Sequence, residues 1–204
     1  MSTLAPSTLF SENTYRNATR MESDQMRTLD KTLCRHAFDD AVVATARLAA
    51  FSTSRSLKAI GHGGYYTISA DLCKKDLLIA AISVRKLSEI TSTSSALKNK
   101  SVRFLENKTQ QKLASSISVW DLIGNIIHGV ELEIIKDIGM FLFASTDPLR
   151  AMNSTDEIDA AVIIKSDKFD RRAFKLNDLI SHINTYIEEA NDEMAKHRIF
   201  LGSG

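Results

Sequence analysis

Asp121, Asn125 and His128 recur at spacings of four and three within the stretch SVWDLIGNIIHGVELEI, residues 118–134. At about 100° per residue, Ser118 and these three side chains fall within an arc of roughly 80° on one helix face. Residues three or four apart on a helix can touch. His128 can therefore reach Asn125, and Asn125 can reach Asp121. A neutral imidazole takes or gives a proton near pH 7, which is the chemistry of a general acid or base. Asp121 lies two turns from His128 and would orient it only through Asn125 or a water. The pattern also has a purely structural reading. Surface helices carry polar stripes, and a histidine in the last turn meets the free carbonyls of the helix end. Gly129 is then the expected residue for ending the helix in a left-handed conformation.

These residues need a scaffold, and the composition allows one. The 204 residues suit a single domain with its own core. A net charge of +1 gives no global field to gather nucleic acid or anionic lipid, so any anion site must be local. Cys34 and Cys73 fall in different expected helices and show neither a disulfide framework nor zinc spacing. No His/Cys/Asp/Glu cluster has ligand spacing, so no metal is expected, and no Gly-x-Ser-x-Gly appears, which argues against a serine hydrolase; no cofactor is expected. No run approaches the roughly 20 apolar residues of a membrane span. The N-terminus lacks the pattern of a secretory signal. Together these features point to the cytoplasm.

Only Pro6 and Pro148 interrupt the chain, and the long region between them favours helices. Residues 1–20 read as a flexible arm, followed by one helical domain over 21–200. A first helix is expected over about 23–53, with Ala37, Ala41, Ala44 and Leu48 on its buried face and Phe38, Val42, Thr45 and Ala49 beside them. GHGGYYT at 61–67 reads as a loop; nothing after it completes a phosphate-binding motif. Asp71 is the expected N-cap of a second helix with Leu77, Ala80, Val84 and Leu87 inside. The basic run KNKSVRFLENKTQQK predicts a short solvated helix over about 96–115 and leaves a nucleic-acid contact open. After Gly129 the period changes from helix to strand. VELEII, MFLFAS, AAVIIK and RRAFKL read as strands of an insertion over about 130–176. Asn177 is the expected cap of a closing helix, with Leu179, Ile183, Ile187, Ala190 and Met194 buried. The fold class is mainly α, a helical bundle with a small antiparallel sheet, α+β overall.

SVWDLIGNIIHGVEL, with strands and the closing amphipathic helix after it, resembles a bacterial branch of the HEPN superfamily. The resemblance is best over 118–130 and looser over about 70–200. It implies a homodimer with the helix over 116–128 at or near the interface. It also implies RNA or nucleotide binding, within a toxin–antitoxin or phage-defence system. Active members carry an Arg a turn or two before the His and cleave RNA without a metal. His128 matches that His and Asn125 approximates the polar position. The Arg has no counterpart, because none occurs between Arg103 and Arg150. Three functions therefore stay open. One is an RNA- or nucleotide-binding protein. Another is an endoribonuclease using His128 with an Arg from elsewhere, such as Arg85. The third is a non-catalytic module that dimerises or holds a protein partner.

Overall fold

The computed structural model describes residues 9–53, 63–108, 111–136, 160–169, 171–196 and 199. Among the described residues, five helices and five strands make a mainly helical α+β fold: α1 Leu9–Thr53, α2 Gly63–Ile90, α3 Ser94–Lys98, β1 Ser101–Lys108, β2 Gln111–Ser118, α4 Val119–Ile127, β3 Glu131–Lys136, β4 Ala160–Lys165, β5 Arg171–Lys175 and α5 Leu176–Lys196. Among the described residues, no helix is long and apolar enough to cross a membrane. The expected strand at MFLFAS lies outside the described residues.

α1 and α2 pack along each other, and small residues face inward on both. Cys34, Ala37, Ala41 and Ala44 on α1, and Cys73, Ala80 and Ala81 on α2, are all buried. Short side chains let two helix backbones approach closely and put many atoms in contact, which is where dispersion gains come from. Leu48, Leu77, Val84 and Leu87 complete this seam. Val42, expected beside the buried face, is exposed instead, because the α1 face that meets α2 is narrower than its apolar arc. α1 begins at Leu9 and so takes in residues 9–20 of the expected arm. α2 begins at Gly63, which places Asp71 in the helix interior rather than at an N-cap. Both cysteines are free thiols.

The sheet has the order β2-β1-β5-β4-β3 and is antiparallel throughout. Three of its strands, β3, β4 and β5, come from the stretches read as strands. The other two come from the basic run that predicted a helix over 96–115. Among the described residues of that region, only Ser94–Lys98 is helical. Lys, Glu and Gln favour helices weakly, and here long-range pairing overrides them. Val102 and Phe104 alternate with exposed Ser101 and Arg103, and Phe104 pairs with Phe174 of β5. Phe104, Phe174, Val162 and Ile134 form one buried row across four strands. Leu179, Ile183, Ala190 and Met194 of α5 are buried, and the helix packs against α1 and against β4 and β5; Ile187 is half-buried. Asn177 sits in the first turn of α5, after its start at Leu176. Its Oδ1 accepts from the Ser52 hydroxyl at 2.5 Å and ties α5 to the end of α1.

Between α2 and α3 the chain turns through Ser92, which takes a φ of 57°. Thr91 and Thr93 share a hydrogen bond of 2.7 Å there, and Thr93 bonds the Tyr186 hydroxyl at 2.9 Å. Tyr186 is fully buried. Burial raises its pKa above 10.0, and burial raises that of Cys34 above 9.0. In both groups the folded state prefers the neutral form. Their stabilisation is therefore complete below the unfolded pKa and is lost as pH rises through the folded one. Urea unfolding should show stability falling above about pH 9, where the unfolded Cys34 thiol ionises first, and more steeply above about pH 10, where the unfolded Tyr186 joins it. Tyr186→Phe should remove the tyrosine's share of that alkaline slope. The same variant should cost about 1 kcal/mol at pH 7 through the lost hydrogen bond.

Candidate functional site

α4 is a nine-residue helix with a strongly two-sided sequence. Val119, Leu122, Ile123 and Ile126 are buried against the core. Its N-terminus is closed by Ser118, whose hydroxyl accepts from the Asp121 N–H at 3.0 Å and donates to Asp121 Oδ2 at 2.6 Å. A serine hydroxyl can do both at once. The arrangement satisfies an orphan N–H and sets a carboxylate near the positive end of the helix dipole.

The polar stripe thus resolves into separate local tasks. Asp121 is exposed and engaged with Ser118. Asn125 is half-buried. His128 is exposed at the C-cap, with its backbone N–H donating to the Gly124 carbonyl at 3.0 Å. Among the described residues, no hydrogen bond links the three side chains to one another. Gly129 does not occupy the left-handed region expected of it. The glycine is required by close approach: a Cβ there would lie 3.0 Å from the Asn125 carbonyl oxygen and 3.0 Å from Ile164 Cγ2. β4 runs directly against the helix end, and the next residue, Val130, donates to the Lys165 carbonyl at 2.8 Å.

A different group of residues gathers on the neighbouring face of α4. The Arg85 guanidinium, from α2, stands 4.7 Å from the centre of the Trp120 ring. The Lys98 ammonium, from the end of α3, stands 5.5 Å from the same ring. Arg85 Nη1 also comes close to Gly124, one turn after Trp120, where a Cβ would sit 3.4 Å away in ordinary contact. Arg85 Nε also donates to Glu89 Oε1 at 3.2 Å. Trp120 is half-buried and Lys98 exposed. The aromatic ring attracts both cations and holds Arg85 in one orientation. A guanidinium fixed this way keeps N–H donors in a planar fork suited to carboxylate or phosphate oxygens.

Arg85 was legible as an Arg from elsewhere, whereas Trp120 was counted with the apolar side of α4 and Lys98 with the basic run. Only the approach of three helices joins them. The chemistry available here is anion binding by two cations and an indole; the carboxylate of Glu89 is engaged with Arg85. Among the described residues, no group of three potential metal ligands exists. Comparison with family models, curated proteins and solved structures finds no match to this chain.

Two substitutions separate the structural roles on α4. Ser118→Ala should cost about 1 kcal/mol through the lost N-cap. Gly129→Ala should cost on the order of 1–3 kcal/mol, since backbone rather than a flexible side-chain tip must move. His128→Ala should cost no more than about 1 kcal/mol. Urea midpoints of the three variants check the ranking.

Proposed function

We propose that this chain is a HEPN-like protein of the cytoplasm that binds RNA or a nucleotide, in a toxin–antitoxin or phage-defence setting. The supporting observation is the Arg85–Trp120–Lys98 cluster against α4. The resemblance places the working helix at 118–128, and that helix contributes no cation of its own. α2 and α3 bring two to its side. Phosphate oxygens suit the two cations, and a base suits a stacked aromatic or guanidinium plane. The cluster carries Glu89 as well, so its net charge is small and favours a local contact over a broad electrostatic groove.

The endoribonuclease reading gains one observation. Arg85 meets α4 at Gly124, one turn before His128 on the same helix. That is a cation near the place where the resemblance lacks one. The exposure of His128 and its separation from Asp121 and Asn125 favour binding over cleavage.

Trp120 is the chain's one tryptophan, so its fluorescence reports on the cluster directly. Titration with short single-stranded RNA should quench or shift that emission, with affinity falling as salt rises. Arg85→Ala should weaken binding about tenfold, equivalent to about 1.4 kcal/mol. No emission change with RNA, nucleotides or polyphosphate would sink the binding reading. RNA cleavage in chelator that is lost in His128→Ala, with binding retained, would move the assignment to the nuclease.

A further inference from the structure

α2 buries one face completely and leaves an apolar face uncovered. Ile68 is 60% exposed, Leu72 54%, Ile79 41% and Ile82 46%. They are not scattered. Together with exposed Lys75 and Lys86 they run 68, 72, 75, 79, 82, 86, so that steps of four and three alternate over almost the whole helix. This is the period of a coiled-coil seam, in which such positions insert between the residues of a facing helix. Large aliphatic side chains in this order on solvent are an unusual exposure for a soluble surface, where single apolar residues are common but contiguous stripes are not. The buried face of the same helix is already used by α1 and α4.

We propose that this stripe pairs with the same stripe of a second copy, with the two α2 helices antiparallel. The charges choose both the occupant and the direction. In a parallel two-fold pair, Lys75 would face Lys75 and Lys86 would face Lys86 at the seam, two like-charge contacts with little water to screen them. An antiparallel pair removes both. One register sets Leu72 against Ile82 of the second copy, Ile79 against Lys75 of the second copy, and Ile68 against Lys86 of the second copy. Each lysine then lays its methylene stem on an isoleucine and carries its ammonium outward. The same register brings Asp71, on the flank of the seam, opposite Arg85 of the second copy, and two-fold symmetry makes that contact twice. Within the single chain Asp71 meets Lys74 at 3.1 Å and Arg85 gives its Nε to Glu89 while its guanidinium stands against Trp120, so this flanking contact draws on the same cation as the anion site, and the apolar layers and the lysine placement carry the pairing. A helix surface that is self-complementary in apolar layers and in charge fits a copy of itself. This pairing does not rest on the anion-binding reading, and it moves the dimer contact expected at residues 116–128 onto α2.

The test uses the full chain. Sedimentation at tens of micromolar should show a dimer, and Ile79→Asp with Ile82→Asp should show a monomer with unchanged far-ultraviolet helical signal. Direction is read by oxidative crosslinking. A mixture of Leu72→Cys and Ile82→Cys chains should give a disulfide-linked dimer, because those positions face each other. Leu72→Cys alone should not, because two copies of residue 72 lie about 15 Å apart along antiparallel helices. Cys34 and Cys73 are buried and leave the readout clean. A monomeric wild type, a dimer that survives the double aspartate, a crosslink in Leu72→Cys alone, or none in the mixture would each overturn the proposal.

Discussion

The close approach of α1 and α2 is the constraint on which the rest of the molecule depends. Cys34, Ala37, Ala41 and Ala44 on α1 and Cys73, Ala80 and Ala81 on α2 are all buried, and none of these side chains is large enough to hold the helices apart. Once that seam is closed, the rotation of α2 about its own axis is settled. Its buried arc carries Leu77, Val84 and Leu87, α4 packs alongside it, and the arc with Ile68, Leu72, Ile79 and Ile82 has nowhere to go but outward. A larger residue at Ala41 or Ala80 would disturb more than local packing, because it would turn the α2 surface relative to α4.

The same rotation puts Arg85 on the flank between the buried and exposed arcs. From there its guanidinium reaches the Trp120 ring while its Nε holds Glu89. Its Nη1 comes close to α4 at Gly124, where a Cβ would sit 3.4 Å away in ordinary contact. Lys98 arrives from a third direction, carried by the short α3 after the Ser92 turn. The Thr91–Thr93–Tyr186 hydrogen bonds anchor that turn to α5, so the placement of Lys98 depends on a buried polar chain several residues away. The cationic cluster is therefore a product of helix packing, with one member from each of α2, α3 and α4.

The polar stripe of α4 teaches the opposite lesson. Asp121, Asn125 and His128 share a face by helical geometry, yet each answers a need of the helix or its surroundings. Asp121 completes the N-terminal cap with Ser118, and His128 closes the C-terminus by its backbone. A nine-residue helix has most of its residues within one turn of an end. Polar side chains on it are drawn to unsatisfied backbone groups before they can cooperate with one another.

Much of the architecture was legible in the sequence. The 3.6-residue period marked the buried faces of α1, α2 and α5, and the switch to a period of two at Glu131 marked β3, because each period follows from backbone geometry alone. The residues 101–118 were not legible as strands. Their lysines, glutamines and Glu106 suit a helix locally, and the partner that makes β1 an interior strand, Arg171–Lys175, lies some distance along the chain. Gly129 was recognisable as the residue that ends the helix, but the close approach made there was not, since the atoms that crowd a Cβ include Ile164 from β4. Sequence spacing determined which side chains share a helix face. Only tertiary packing decided which of those faces met another element, which remained on water, and that Arg85, Lys98 and Trp120 would meet, because such contacts depend on how separate helices are rotated and brought together.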